Sequence, residues 1–493
     1  MFFISSRNAE IKVSSSYAIA HGISKEGGLF LPEIIPTLNI NDFNSLCAMS
    51  YVDRAAFILK KYLTDFTDEE INNCVKSAYT GSFDNDEPAP LVRLNDNTQV
   101  LELWHGPTCA FKDLALQLLP HLMTTASKKT GDGKKIVILV ATSGDTGKAA
   151  LEGFKDVKDT EIIVFYPSEG VSPTQKLQMA SQEGNNVYVF GIKGNFDDAQ
   201  TGVKKIFTDS DIIKKLNENG FEFSSANSIN WGRLVPQIVY YISAYCDMLN
   251  QNKDLSGGFN VTVPTGNFGN ILAAYFARAM GVPIKRLICA SNKNKVLTDF
   301  INTGVYNKNR DFYTTISPSM DILISSNLER MLYMLSGDDK YVANLQDKLQ
   351  NKGCFEVNDT IKAKLKEIFY AGYCDDKKTL KTISKVYKDY GYLCDTHTAV
   401  AVAVAKEYME ISGDNAPMII VSTASPYKFA KNVLSAISDE VAEDDFSAIN
   451  KLSEVTGVKV PKPISDLCGK QVRFNKTIDK SELKNAVFES LKI

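Results

Sequence analysis

Four short stretches carry most of the chemistry this sequence has to offer. HGPTCAFKDLALQ (105–117) places Lys112 behind a Gly-Pro turn and a run of small residues, where a helix is about to begin. PTGNFGN (264–270) has Gly266 and Gly269 to let the backbone approach an anion, ahead of a helix start that offers unpaired N–H donors and a positive dipole end. Glycines at such a place also serve as plain turn chemistry, and the spacing is neither GxGxxG nor a Walker loop. TSGDTGK (142–148) puts Ser143, Gly144, Thr146 and Gly147 at another helix start, where short hydroxyls and N–H groups suit a carboxylate. N-capping by Thr146 or Asp145 explains the same letters. A Walker loop is excluded, because GxxxxGK[ST] needs Gly at Thr142 and Ser or Thr at Ala149. NSINWGR (227–233) clusters Asn227, Asn230 and Arg233, the arginine being a natural fork for a second phosphate or carboxylate. Beside Trp231 it is equally readable as a surface stack or ion pair, and His105 and His397 are single imidazoles open to packing roles.

Strand-like runs precede these loops and helix-like runs follow them. VLELW (100–104) leads into the Lys112 stretch, KIVILVA (135–141) into TSGDTG, FNVTV (259–263) into PTGNFGN, and MIIVS (418–422) into TASP. Near-continuous apolar strands alternating with helices indicate a parallel sheet covered on both faces, with its loops at the carboxyl ends, where open α/β sheets bind ligands. EIIVFY (161–166), VYVFGI (187–192) and RLICAS (286–291) read as further strands. If the four loops share one sheet edge, Lys112 gains a purpose: a partly desolvated amine at a phosphate-binding cleft is what a pyridoxal phosphate enzyme requires.

Other regions look different. Residues 1 to about 90 are mostly helical in pattern. Residues 306–390 carry charged amphipathic helices, with Leu328, Met331, Leu332 and Leu335, then Ile361, Leu365, Ile368 and Phe369, at helical spacing. SDEVAEDD (438–445) reads as a solvated connector and the tail beyond it is uninformative. With 493 residues the chain has room for two to four domains at about 150 residues each. Its 55 basic and 58 acidic residues nearly balance, which argues against nucleic acid or a membrane surface and favours a small-molecule partner. Nine scattered cysteines without a CxxC pair read as reduced thiols in a cytoplasmic protein, and the first residues are too weakly apolar for a signal peptide. Four histidines without HExxH give no metal site.

These motifs, in this order, resemble threonine synthase, a family of fold type II pyridoxal phosphate enzymes, in its longer branch. The resemblance runs from AIAHGISKEGGLFLPE (18–33) through HGPTCAFKD, ATSGDTG, NSINWGR, PTGNFGN and SPSMDILISSNLER (317–330) to CDTHTAVA and STASPYKF (394–429). It implies an α/β, tryptophan synthase β-like architecture of parallel or mixed open sheets flanked by helices. A mostly helical domain (1–90) would precede a cofactor-binding core of two subdomains (91–445) with a helical insertion at about 306–390, and a C-terminal extension (446–493) would follow. It implies pyridoxal 5'-phosphate joined as a Schiff base to Lys112, with Gly266, Asn267, Phe268, Gly269 and Asn270 on its phosphate, Thr423 at the pyridine nitrogen, and Ser143, Asp145 and Thr146 near the cofactor hydroxyl and the amino-acid carboxylate. His105, Thr108, Asn230 and Arg233 are implied for the substrate phosphate. The implied reaction, the last step of threonine biosynthesis, converts O-phospho-L-homoserine and water to L-threonine and phosphate, in a monomer or homodimer. Ser425 stands where relatives often carry His, and Tyr427 where they carry Ala. That departure leaves open a phospholyase releasing 2-oxobutyrate; a noncatalytic binding protein on the same fold is the other alternative.

Overall fold

The computed structural model describes residues 1–493 except 85, 86, 132, 143, 169, 170 and 172, with the side chains of 173, 196 and 197 also left aside. Two sheets carry the core. The larger has six strands in the order Phe369–Tyr373, Ile284–Ser291, Phe259–Pro264, Met418–Ser422, Thr98–Glu102, Leu91–Arg93. All neighbours are parallel except the last pair. The smaller has five parallel strands in the order Thr477–Asp479, Val187–Lys193, Thr160–Pro167, Lys135–Ala141, Phe221–Ser224. Every residue of Phe259–Pro264 and of Met418–Ser422 is buried, which is why these strands read as unbroken apolar runs: helices cover both of their faces.

The chemistry-bearing loops therefore come from two sheet edges, not the single one that strand alternation suggests. The Lys112, Gly266–Asn270 and Thr423 loops leave the carboxyl ends of the larger sheet, and the Asp145 loop leaves the smaller one. The helix Trp231–Asn250 joins the two. It follows the edge strand Phe221–Ser224, is buried over most of its length, and packs on the helices Lys112–Leu116 and Gly269–Ala279. The helices Lys112–Leu116 and Asp145–Phe154 also meet directly, and Gly153 makes that possible. A Cβ at Gly153 would lie 2.1 Å from the Leu116 carbonyl oxygen. Glycine here sets the spacing of the two helices that begin with Lys112 and Asp145.

Residues 1–90 combine a small antiparallel sheet (Asn8–Val13, Phe3–Ser5, Phe30–Pro32) with helices such as Tyr51–Tyr62 and Asp68–Tyr79, the latter opened by a Thr67/Glu70 capping box. Phe3 and Tyr62 pack on the Trp231 ring at 5.1 and 5.4 Å, so this region buries the first turn of the joining helix. The segment 306–390 is helical along the first predicted stripe and along Ile361, Leu365 and Ile368 of the second, all of them buried, but Phe369, expected on that second helix, lies just past its end in extended backbone and begins a strand. It also supplies Phe369–Tyr373, the edge strand of the larger sheet, and is thus continuous with the core. The tail does the same for the smaller sheet through Thr477–Asp479. Among the described residues no helix is long and apolar enough to cross a membrane.

Candidate active site

The loop before Lys112 is fixed from two sides. It is laced to the Thr423 loop by Leu103 N–H to the Ser422 carbonyl (2.9 Å), Phe111 N–H to the Thr423 carbonyl (2.9 Å) and Ser425 N–H to the Cys109 carbonyl (3.1 Å). It is also wrapped around Asp113, whose buried carboxylate accepts the Thr108 N–H (2.8 Å) and hydroxyl (2.6 Å). Gly106 faces the same side chain so closely that a Cβ would lie 2.5 Å from that of Asp113. The small residues of HGPTC are thus clearance around Asp113, and Lys112 is held between this anchor and the strand end.

Lys112 is half-buried, and among the described residues its amine donates to no acceptor; the nearest ring is Phe111, 4.9 Å to the centroid. Burial lowers its pKa from 10.5 to about 8, against the pull of Asp145 and with the help of Lys428 and Arg233. Asp145 opens the neighbouring helix and is almost wholly buried. Burial pushes its carboxyl up, but Lys428 and Lys112 outweigh that and hold it well below the usual carboxylate range. Lys428 Nζ lies 2.6 Å from Asp145 Oδ1 and donates to the Thr108 carbonyl at 2.9 Å. Neither Asp145 nor Thr146 caps its helix: Thr142 Oγ1 accepts the N–H groups of Gly144 (3.1 Å) and Gly147 (3.0 Å) instead. Thr146 is half-buried in the first turn, and Ser143 lies outside the described residues.

The Gly266–Asn270 loop has its carbonyls engaged and its N–H groups unspent. Ser325 Oγ donates to the Gly266 carbonyl (2.8 Å), and the backbone and side-chain N–H groups of Asn327 both donate to the Asn267 carbonyl at 3.1 Å. No described acceptor takes the N–H of Gly266, Asn267 or Phe268, and the helix Gly269–Ala279 starts without a side-chain cap. Phe268 adopts a left-handed φ of 62°, which turns the chain into that helix. Asn270 accepts from the hydroxyls of Tyr240 (2.6 Å) and Tyr241 (2.5 Å), and its buried Nδ2 has no partner among the described residues. Thr423 is buried beside this loop's neighbouring strand end, its carbonyl committed to Phe111.

The remaining sequence candidates separate by how they spend their donors. Arg233 is buried, gives Nη1 to the Ala226 carbonyl (2.6 Å), and among the described residues finds no partner for Nε; burial lowers its pKa to about 10. Asn230 caps its helix by accepting from Gly232 N–H (2.8 Å) and donates to the carbonyls of Ile19 (2.9 Å) and Ser225 (3.1 Å). His105 has both ring nitrogens on carboxylates, Nδ1 on Asp84 (2.8 Å) and Nε2 on Glu102 (2.9 Å). Thr108 belongs to Asp113. Lys428 is the residue that sequence reasoning missed: a lysine five positions after Thr423 shows its place only once the two loops are laced. Among the described residues no group of His, Cys, Asp and Glu gathers closely enough to hold a metal ion.

Three family patterns match most of the chain: "Threonine synthase N terminus" over residues 2–79, "Pyridoxal-phosphate dependent enzyme" over 84–423 and "Threonine synthase, C-terminal" over 398–487. The chain belongs to the threonine synthase family. It is 37% identical to threonine synthase of Pseudomonas aeruginosa, over 88% of this chain and 90% of that one. It is 41% identical to threonine synthase-like 1 of Homo sapiens over 88% of its own length, and it spans 60% of that relative. The crystal structure of threonine synthase from Brucella melitensis with pyridoxal phosphate bound is 35% identical and superposes with a TM-score of 0.89, covering all of both chains. The family's fold, a mixed α/β arrangement of two open sheets, is the one described above. Its cofactor also fits the residues present: an unpartnered amine on Lys112, unspent N–H groups from Gly266 to Phe268, the orphaned Asn270 Nδ2, and a buried Thr423 beside them.

Proposed function

We propose that this chain is a threonine synthase, a pyridoxal 5'-phosphate-dependent lyase converting O-phospho-L-homoserine and water to L-threonine and phosphate. The observation that carries the reading is the pairing of a half-buried Lys112 amine with a glycine loop: among the described residues, neither that amine nor the N–H groups of Gly266, Asn267 and Phe268 find an acceptor. The family resemblance over nearly the whole chain supports it. When bound, pyridoxal phosphate supplies a carbonyl for an amine and a conjugated ring that stores negative charge developed at the substrate Cα. Gly266, Asn267, Phe268, Gly269 and Asn270 would hold its phosphate, Thr423 its ring nitrogen and Lys112 its carbonyl carbon. Lys112, with a pKa near 8, is neutral often enough at physiological pH to remove the substrate Cα and Cβ protons and to return one to Cα. Phosphate departs from Cγ, which takes back the other proton to become the methyl group, and water adds its hydroxyl at Cβ while its remaining proton passes to the departing phosphate. Arg233, whose Nε has no partner among the described residues, would bind the leaving phosphate, and Thr146 would offer its hydroxyl to the substrate carboxylate.

One observation keeps a second reading in play. Ser425 is fully buried and its hydroxyl accepts from the N–H of Tyr427 (3.4 Å), where relatives often carry an imidazole. Without that group, elimination of phosphate ending in 2-oxobutyrate is the competing outcome. Nine unpaired cysteines support a reducing, cytoplasmic setting, and we read the working unit as a monomer or homodimer. The test is phosphate release from O-phospho-L-homoserine by the purified chain, together with its visible cofactor absorbance. Both are expected in the wild type and lost in Lys112→Ala; a colourless wild type that releases no phosphate defeats the proposal.

A further inference from the structure

Asp145 has two lysines within electrostatic reach, and only one of them holds it. Lys428 Nζ is 2.6 Å from its Oδ1, both side chains are about 95% buried, and the same ammonium is anchored a second time by the Thr108 carbonyl at 2.9 Å. Lys112 has no acceptor at all among the described residues. A buried carboxylate must be paired, so in the absence of Lys428 its partner would be the remaining lysine. An amine locked as the ammonium of such a pair has no lone pair with which to attack a carbonyl. The turn Pro426–Phe429 that carries Lys428 is capped by Ser425 and laced to Cys109, so Lys428 is fixed to the very loop that positions Lys112.

We propose that Lys428 is a positioning residue that occupies Asp145, so that this carboxylate cannot pair with Lys112 and the Lys112 amine stays unbound and ready to join the cofactor. The charged groups around Lys112 come from four elements: Asp113 on its own helix, Asp145 on Asp145–Phe154, Lys428 on Pro426–Phe429 and Arg233 on Trp231–Asn250. His397, at the start of Thr396–Ser412, also acts electrostatically on Asp145 and is itself tied to Asp395 at 2.7 Å. With two cations beyond Lys112 and one carboxylate shared out, removal of Lys428 and removal of Asp145 must act on Lys112 in opposite directions. A merely structural ion pair would not behave in this way: losing either partner would loosen the same contact.

This inference rests on Lys112 being the cofactor-bearing lysine. The experiment follows cofactor capture, read as the rise of visible absorbance when pyridoxal 5'-phosphate is added back to the full chain stripped of it, as a function of pH. Capture requires the neutral amine, so its rate in the wild type rises with pH to a midpoint near 8. Lys428→Met is expected to move the midpoint upward by at least about one pH unit, which slows capture about tenfold or more at neutral pH. Asp145→Asn is expected to move it downward, Lys428→Arg to leave it in place, and the combination of Lys428→Met with Asp145→Asn to bring it back toward the wild-type value. Should Lys428→Met fail to fold, the downward movement in Asp145→Asn carries the test alone. Midpoints that stay together, or that move the same way in both single variants, overturn the inference. Capture that persists in Lys112→Ala overturns the reading of Lys112 instead, so the two failures are distinguishable.

Discussion

Gly153→Ala tests whether the spacing between two helices sets the site. The added Cβ would lie 2.1 Å from the Leu116 carbonyl oxygen and 2.8 Å from its carbon, where ordinary contact begins at 3.4 Å. Both atoms are backbone, so no rotamer change relieves the clash and the helices must part by roughly 1 Å. Such overpacking costs about 1–3 kcal/mol, against a gain of about 1 kcal/mol for replacing glycine by alanine inside a helix. A net loss of stability of about 0–2 kcal/mol follows. The functional loss should be larger, because Lys112 and Asp145 open the two helices being separated, and a misplacement of about 1 Å can cost about a hundredfold in rate. Thermal melting and steady-state turnover of the purified variant measure both effects. A higher melting temperature with unchanged turnover would refute the reasoning, because it would mean that the contact is slack and that the spacing of these helices does not govern the site.

Two other perturbations separate anchoring from catalysis. Asp113→Ala strips the buried Thr108 N–H and hydroxyl of their acceptor, at about 1–3 kcal/mol for each orphaned donor, and should lower the denaturation midpoint; an unchanged midpoint counts against the anchor. Burial works to lower the His105 pKa, but its bonds to Glu102 and Asp84 prevail and raise it above 6.5. The stabilisation from protonated His105 is therefore complete below its unfolded value of 6.5 and is lost as pH rises through the higher folded value. The melting difference between wild type and His105→Gln should accordingly be larger near pH 6 than near pH 9; a difference independent of pH would mean that the imidazole is neutral between its two carboxylates.

Much of the core was legible because burial on both strand faces leaves a strong mark in the letters. KIVILVA, FNVTV and MIIVS each became a parallel strand, and each is followed by the loop expected of it. What the letters could not reveal was the division into two sheets, since parallel strands of either sheet look alike and only long-range pairing assigns them. Phe369–Tyr373 was hidden because Phe369 continues the helical spacing of Ile361, Leu365 and Ile368, and Thr477–Asp479 because three residues are too short to show a period. The site divides in the same way. Lys112 and the glycine loop stand out because their surroundings are unusual for a turn, whereas Asn230 and Thr108 resemble phosphate ligands by residue type and prove to have their hydrogen bonds committed within the fold. Lys428 was invisible because a lysine reveals its partner only in three dimensions.

In the proposed function, Lys112 and the residues around it convert a phosphorylated amino acid to threonine. Incubating the cofactor-loaded chain with O-phospho-L-homoserine, and measuring threonine, 2-oxobutyrate and phosphate in the same samples, tests it most directly. Threonine and phosphate in equal amounts, with neither formed by Lys112→Ala, is the predicted result. Phosphate accompanied by 2-oxobutyrate in place of threonine would contradict it.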